Sequence, residues 1–231
     1  MSPILKCEKL TKRFGDAVAI NGLDLAVEPG RIVGLFGAEG SGKTTLLKLV
    51  AGLLTPDGGS VLIDGCAPGV ESKRAAAYLP AAFGGEERAP VRDLIRYYRD
   101  FYADFDCDKA LAALDGLGIA QKDKIADLSK GSLKKLRAAL TVSRRAKLYL
   151  FDDPVGGVDT PTLSYILNAI SGRPDGSAVV ITARSPFDVE RIIDDAAFIS
   201  AGRITLFEDA EKLRADSGKS VNAVFTEGVK C

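Results

Sequence analysis

The sequence of 231 residues contains no histidine and no tryptophan, one methionine and four cysteines. Without an imidazole, the chain cannot use a histidine general base, a histidine metal ligand, a Ser-His-Asp triad or a histidine pH switch. The cysteines lie far apart and form no CxxC pair, so no zinc-binding pattern is present. Any chemistry must therefore depend on carboxylates, hydroxyls, cations and backbone dipoles.

Charge and hydropathy also lack extremes. The chain has 31 basic and 31 acidic residues, so no net field favours nucleic acid or an anionic membrane surface. The first residues lack the apolar segment of a signal peptide, and no apolar run approaches the ~20 residues that span a bilayer. We expect a cytoplasmic α/β protein without a nucleic-acid partner that reaches a membrane only through another protein.

Hydrophobic periodicity predicts the order of the elements. Alternation in the first thirty residues indicates antiparallel strands, and a helical lobe is expected over 91–128. Further strands are predicted at 31–36, 61–64, 76–79, 148–151 and 178–182, helices at 43–54, 132–145, 161–170 and 187–193, and a hairpin over 197–207. Alternating strands and helices predict a mainly parallel sheet covered on both faces.

Residues 37–44 read GAEGSGKT, which fits the phosphate-binding pattern G-x-x-x-x-G-K-[ST] between a predicted strand and a helix. Its glycines are expected to take positive φ, so that successive N–H groups converge on phosphate oxygens. Lys43 is expected to reach the β- and γ-phosphates and Thr44 to ligate Mg²⁺. The predicted nucleotide-binding residues here are Gly37, Ala38, Glu39, Gly40, Ser41, Gly42, Lys43, Thr44 and Thr45.

A second metal anchor is predicted where Asp152 and Asp153 follow the apolar strand 148–151. A nucleoside triphosphate site needs an acidic residue at the end of a buried strand. Asp152 is expected to hold Mg²⁺ through water, and Asp153 to polarise the attacking water. The alternative is a strand end with two solvated carboxylates.

The segment Leu128-Ser-Lys-Gly-Ser132 opens a predicted helix about twenty residues before Asp152. It resembles the LSGGQ signature of ATP-binding cassette (ABC) ATPases. Ser129 and Gly131 place a hydroxyl and a bare backbone at a helix N-terminus, which suits a γ-phosphate. Taken alone, Ser129 would be an ordinary helix cap.

The resemblance extends over nearly the whole chain. Phe14 falls at the position of the family's adenine-stacking aromatic, although a core anchor is an alternative. Asp159 matches the D-loop that faces the other subunit, although an Asp before Thr160-Pro161 also suits a helix start. The chain is similar to stand-alone nucleotide-binding subunits of bacterial ABC transporters, and the LSKG form and FYADFD (101–106) look most like the branch serving small efflux permeases.

This resemblance implies an α/β P-loop NTPase (RecA-like) fold: a mainly parallel sheet core with an N-terminal antiparallel β subdomain and an inserted α-helical subdomain. A single domain over 1–231 would comprise a nucleotide-binding core (1–84 and 128–210), a helical subdomain (85–127) and a tail (211–231). The tail is interpreted as a terminal helix with a loose or strand-like end.

The family's assembly follows from the same resemblance. Two nucleotide-binding subunits, as a homodimer or a heterodimer, would close head to tail around ATP and Mg²⁺. The helical subdomain would dock on an integral-membrane permease, so the subunit would lie at the inner face of the cell membrane.

Three hydrolytic positions depart from the family pattern. Ala81 stands where the family has a Gln, Asp153 where it has a Glu base, and Arg184 where it has a His that contacts the γ-phosphate. Asp153 is one methylene shorter, and a misplacement of ~1 Å costs on the order of a hundredfold in rate. The register around Ala81 is looser, but AAFGGEERAP contains no Gln in any register. With Asp153 and Arg184 as the catalytic residues, we expect secure ATP binding and slow hydrolysis.

Three alternatives stay open. The chain is a hydrolysis-deficient ATP-binding regulatory subunit, a partner of an intact second ATPase, or a non-transport ABC ATPase. The last is disfavoured because such proteins carry a long coiled-coil insertion or two cassettes, for which 231 residues leave no room.

Overall fold

The computed structural model describes residues 2–81 and 88–228. The strands are β1 (Leu5–Phe14), β2 (Ala17–Val27), β3 (Ile32–Phe36), β4 (Gly58–Ile63), β5 (Ala76–Leu79), β6 (Leu148–Asp152), β7 (Ala178–Ala183), β8 (Asp195–Ser200) and β9 (Arg203–Asp209). The helices are α1 (Lys43–Val50), α2 (Val70–Ala75), α3 (Val91–Phe101), α4 (Cys107–Leu117), α5 (Lys130–Val142), α6 (Thr160–Ser171), α7 (Ala210–Ser217) and α8 (Val221–Gly228), with a 3₁₀ turn at Ile125–Asp127. No helix in these ranges is long and apolar enough to cross a bilayer.

Two sheets form the scaffold. A three-stranded antiparallel sheet has the order β2-β1-β4. A six-stranded sheet has the order β5-β6-β7-β3-β8-β9, in which only β9 runs antiparallel to its neighbour. The predicted mainly parallel sheet with an N-terminal antiparallel β subdomain is confirmed. Because the parallel strands end at one edge, the loops that follow them are brought together there.

Apolar residues pack on both faces of the larger sheet. One cluster lies between this sheet and helices α5, α6, α7 and α8, and a second joins its other face to α1 and the small sheet. A third fills the helical lobe of α3 and α4. Helix α5 contributes to two of them, because Ala138 and Val142 face the sheet whereas Leu136 and Leu140 face the lobe. This helix therefore joins the lobe to the core.

A buried arginine reinforces the same junction. Arg144 is 3% exposed, and it donates to the carbonyl oxygens of Ala76 (2.6 Å) and Arg74 (2.8 Å). Its guanidinium also binds the Asp104 carboxylate at 3.1 and 3.2 Å and stacks on the Tyr102 ring, 4.0 Å from the centroid. One side chain thus ties the connection between α3 and α4 to the start of β5.

The predicted helix over 187–193 is wrong, since this segment forms consecutive turns. A helix would bond the N–H of Asp194 to the carbonyl of Glu190. Instead Asp194 donates to the carbonyl of Ile32 at 2.8 Å, and the Glu190 carbonyl accepts from Arg214 at 2.6 Å. Tertiary contacts with β3 and α7 therefore occupy the two groups of this helical bond, although the Glu190 N–H still donates to the Pro186 carbonyl at 2.8 Å. Helix α1 is also shorter than the predicted helix over 43–54, since it ends at Val50.

The C-terminal segment is helical through Gly228, which corrects the expected loose or strand-like end. Val221 and Phe225 of α8 are buried, and the Phe225 ring lies 6.3 Å from Phe36 and 5.1 Å from Phe198 between centroids. Helix α8 therefore packs beneath the strand that leads into the phosphate-binding loop. Residues 229–231 and the predicted boundary at 84–85 lie outside the described residues.

We expect Arg144→Met to lower the free energy of unfolding by about 3 kcal/mol, because it leaves two carbonyls and the Asp104 carboxylate without their buried cation. Arg145→Met is the matched control, since Arg145 is 73% exposed and pairs with Asp106 at the surface. That change is expected to cost less than about 1 kcal/mol. Urea denaturation measures both, and equal losses would contradict the structural role of Arg144.

Candidate functional site

The site is a depression of about 340 Å³ at the carboxyl edge of the parallel strands. β3 leads into the loop 37–44, β6 ends at Asp152, and β7 carries Thr182 beside it in the paired register. The lining residues are Ala19, Glu39, Gly40, Gly42, Lys43, Thr44, Thr45, Ala81, Asp152, Asp153, Thr182 and Arg184. The topology therefore brings together residues that lie far apart in the sequence.

The glycines of the loop have two different functions. Gly40 (φ 78°) and Gly42 (φ 109°) take the left-handed conformation that was predicted. Gly37 does not have a positive φ, contrary to expectation; it is required because a Cβ there would lie 2.3 Å from the carbonyl oxygen of Ile199. Close packing against β8, rather than backbone conformation, excludes a side chain at Gly37.

Lys43 closes the loop on itself. Its ammonium donates to the carbonyl oxygens of Gly37 at 2.6 Å and Ala38 at 2.8 Å. Burial lowers the pKa of Lys43, and the carboxylates of Asp153 and Asp152 oppose that shift. The lysine is thus held at the centre of the loop, where its charge faces both acidic residues.

The turn between β8 and β9 supports the loop from behind. Ala201 (φ 47°) and Gly202 (φ 73°) form a two-residue turn, and the Gly202 N–H donates to the Ser41 carbonyl at 3.1 Å. A Cβ on Gly202 would lie 2.6 Å from the carbonyl oxygen of Ala19. Periodicity predicted this hairpin and its turn at Gly202, but it could not show that the turn contacts the phosphate loop.

Asp152 is the buried centre of the site, at 2% exposure. One carboxylate oxygen accepts from the hydroxyls of Thr44 and Thr182, both at 3.0 Å, and the other accepts from Tyr78 at 3.4 Å. Burial and the neighbouring Asp152 charge raise the pKa of Tyr78, so its phenol remains a donor. Three hydroxyl donors therefore stabilise the carboxylate, which also faces the charge of Lys43.

Asp153 has an unusual backbone, with φ 47°. Its N–H donates to the Thr182 hydroxyl at 2.9 Å, and a Cβ on Gly156 would lie 2.5 Å from its carboxylate. The Gly156 carbonyl in turn accepts from Lys134 of α5 at 2.6 Å. A left-handed conformation in a non-glycine residue costs free energy and is common at functional sites. The carboxylate is thus directed by its strand end and by the bare backbone of Gly156.

Ala81 and Arg184 both line the depression, and their roles in hydrolysis stay predictions. The methyl side chain of Ala81 offers no polar atom. Arg184 lies beside the phosphate loop, with its Nη2 atom 3.4 Å from Oε2 of Glu39. The side chains of Arg184 and Glu39 are 73% and 84% exposed, respectively.

Ser129, Gly131 and Asp159 do not line this depression. Ser129 caps α5 by accepting from the N–H of Ser132 at 3.0 Å, and Asp159 caps α6 by accepting from the N–H of Thr162 at 2.9 Å. A Cβ on Gly131 would lie 2.9 Å from the Thr162 hydroxyl, so the two helix starts pack together. The structural alternatives considered for Ser129 and Asp159 are therefore present, and their roles toward a nucleotide stay predictions.

Phe14, at the end of β1, is 50% exposed and is therefore not a core anchor. The ammonium of Lys12 lies 5.6 Å from its ring centroid. Phe14 is not among the residues that line the depression. Its role as an adenine-stacking residue stays a prediction.

Comparisons with known proteins identify the family of this chain. The family model described as "ABC transporter" matches residues 20–156. The ABC transporter ATP-binding protein YtrB of Bacillus subtilis is 27% identical over 221 residues, covering 92% of this chain and 74% of the relative. An uncharacterized ABC transporter ATP-binding protein of the same organism, YdbJ, is 30% identical over 210 residues, covering 87% of this chain and 68% of that protein.

A solved structure described as the ATP-binding subunit of an ABC transporter has a TM-score of 0.85 at 22% identity, and the alignment covers 97% of this chain and 98% of that one. The likeness confirms the fold. The family match and the 30% identity with YdbJ show that the chain belongs to the ABC transporter family. It is an ATP-binding subunit of that family, whose members hydrolyse ATP.

The sequence did not predict two residues that contact Asp152 in the site. Tyr78 and Thr182 are polar residues near the carboxyl ends of otherwise apolar strands, β5 and β7. Both contact Asp152 because these strands flank β6. The signal that marks them is a hydroxyl within an apolar run, and its meaning depends on the strand order.

Thr182→Val is expected to cost about 1–3 kcal/mol of stability and to weaken nucleotide binding, because it removes the partner of Asp152 and of the Asp153 N–H. Thr182→Ser keeps the hydroxyl and loses only a methyl group, so its effect should be smaller. Urea denaturation and calorimetric titration with ATP measure both effects. Equal losses in the two variants would show that the hydroxyl does not support the site.

Proposed function

We propose that this chain binds Mg-ATP and couples its binding and slow hydrolysis to a separate integral-membrane permease. The observation that carries the proposal is the assembled site: Lys43, Thr44 and Asp152 converge on one depression, beside Ala81, Asp153 and Arg184. An intact phosphate loop supports binding, whereas the three altered positions support slow turnover.

The residues present fit a nucleoside triphosphate with Mg²⁺. The loop offers backbone N–H groups at the start of α1, and the left-handed glycines allow its backbone to approach a phosphate closely. The Thr44 hydroxyl and the Asp152 carboxylate, 3.0 Å apart, are oxygen donors of the kind Mg²⁺ prefers. When bound, the metal neutralises charge that develops on the phosphate oxygens.

The remaining residues would position the reacting groups. Lys43 would turn from the loop carbonyls to the phosphates. Asp153 would accept a hydrogen bond from the attacking water and orient it, and its fixed backbone limits how far its short side chain extends. Arg184 would stabilise charge on the terminal phosphate. A guanidinium offers hydrogen-bond donors and no acceptor, so Arg184 cannot act on the water as a neutral base does.

Restoring the family residues should accelerate turnover of the purified protein. We expect Asp153→Glu to have the largest effect, up to about a hundredfold, because it restores the reach of the carboxylate. Ala81→Gln and Arg184→His should each have smaller effects. Steady-state ATPase assays measure these rates, with and without the permease.

Lys43→Ala is the control, because it should abolish nucleotide binding and turnover together. Ordinary family turnover in the parent, unchanged by the restorations, would contradict the proposed slow hydrolysis. Binding without turnover in every restored variant would instead favour the alternative of a hydrolysis-deficient regulatory subunit.

The separation of Ser129 from the depression supports a two-subunit site. Ser129, Gly131 and Asp159 lie at exposed or partly exposed starts of α5 and α6, away from the Lys43 loop of the same chain. A second subunit placed head to tail would supply them to the nucleotide, as the family resemblance implies. The partner is a second copy of this chain or a different nucleotide-binding subunit.

Mixing two inactive variants tests the homodimer. Lys43→Ala removes the phosphate lysine, and Ser129→Asp keeps a helix cap while placing a negative charge toward the γ-phosphate. In a head-to-tail homodimer, hybrid dimers regain one site with neither defect, so a 1:1 mixture should recover about a quarter of the parent turnover. If no activity returns, the homodimer is wrong and a heterodimer is favoured.

The helical lobe supports contact with a membrane partner. Tyr97 and Phe101 of α3 are 45% and 71% exposed, and their ring centroids lie 4.5 Å apart. Adjacent exposed aromatic rings are typical of protein interfaces. We assign this surface to the permease, which would hold the subunit at the inner face of the membrane.

A further inference from the structure

Glu39 places a negative charge inside the phosphate-binding loop. It precedes Gly40 (φ 78°), and its side chain is 84% exposed at the mouth of the depression. A carboxylate at this position repels a polyphosphate ligand, whereas the rest of the loop attracts it. The charge therefore opposes the function of its surroundings unless another group balances it.

Arg184 supplies that balance. Its Nη2 atom lies 3.4 Å from Oε2 of Glu39, so the pair spans the space between the phosphate loop and the end of β7. Both groups act on Lys43: the Arg184 charge lowers the pKa of this lysine and the Glu39 charge raises it. The two charges thus lie close enough to Lys43 to influence any phosphate bound there.

We propose that Glu39 is a specificity-determining residue: it holds Arg184 in the free site and releases it to the terminal phosphate of a nucleoside triphosphate. A nucleoside diphosphate lacks that phosphate, so Arg184 stays with Glu39. This inference rests on the proposed ATP-binding function. It adds to that function an ion pair between Glu39 and Arg184 that exists only in the free and diphosphate-bound states.

The strengths of the two contacts decide the direction of the exchange. An exposed ion pair between single side chains changes an equilibrium by only about 1.5- to 5-fold. An Arg–phosphate contact is charge-assisted and often bidentate, so it is stronger than the exposed pair. The triphosphate therefore displaces Glu39, and the cost of breaking the ion pair lowers the affinity for the triphosphate by a similar factor.

A double-mutant cycle tests this exchange. Glu39→Gln, Arg184→Gln and the double variant are titrated by calorimetry with Mg²⁺ and either ADP or the non-hydrolysable β,γ-imido analogue of ATP. Glu39→Gln should tighten binding of the triphosphate analogue about 1.5- to 5-fold more in the parent than in the Arg184→Gln background. The same comparison with ADP should show no coupling between the two residues.

Glu28→Gln is the matched control for charge, because Glu28 is exposed and precedes β3 at the opposite end of that strand. It should leave both affinities unchanged. Additive effects of Glu39→Gln and Arg184→Gln on the triphosphate, or equal coupling with ADP, would overturn the inference while leaving ATP binding in place. Weaker binding of the triphosphate analogue by the Glu39→Gln variant would also overturn the inference, because the carboxylate would then assist binding of that ligand. Loss of binding in the parent itself would instead contradict the proposed function.

Discussion

The buried carboxylate of Asp152 holds the site together, because this one side chain joins the start of α1 to the strands on either side of β6. Its oxygens accept from Thr44 at the start of α1, Thr182 of β7 and Tyr78 of β5. A charge at 2% exposure is costly unless its hydrogen bonds are satisfied. The start of α1 and the ends of the three strands are therefore joined through one carboxylate, and Asp153 takes its position from the same strand end.

Helix α5 connects the site to the helical lobe. Its N-terminus is capped by Ser129, Lys134 binds the Gly156 carbonyl behind Asp153, and Arg144 follows its C-terminus at the junction with the lobe. Helix α5 also packs on both the sheet and the lobe. It therefore contacts the lobe on one side and, through Lys134, the backbone behind Asp153 on the other.

The phosphate loop, the parallel core and the acidic strand end could be predicted because each depends on a local pattern in the sequence. The contacts of Tyr78, Thr182 and Gly202 could not, since they depend on which strands become neighbours. Arg144 and Arg145 are adjacent residues of the same type, yet Arg144 is buried and Arg145 is exposed. The helix expected over 187–193 was wrong for the same reason: contacts with β3 and α7 occupy the groups that would form its last backbone bond.

The charges of the depression also constrain its chemistry. Arg184 carries a guanidinium that has no hydrogen-bond acceptor, and its charge is offset by Glu39. An arginine in this place can stabilise negative charge on a phosphate but cannot accept a proton from water. Ala81 has no polar group, so under the proposed function Asp153 is the residue of these three positions that would orient the nucleophile. Its left-handed backbone and the close contact with Gly156 limit the adjustment available to its carboxylate. The proposed slow hydrolysis would therefore depend on the reach of one short side chain.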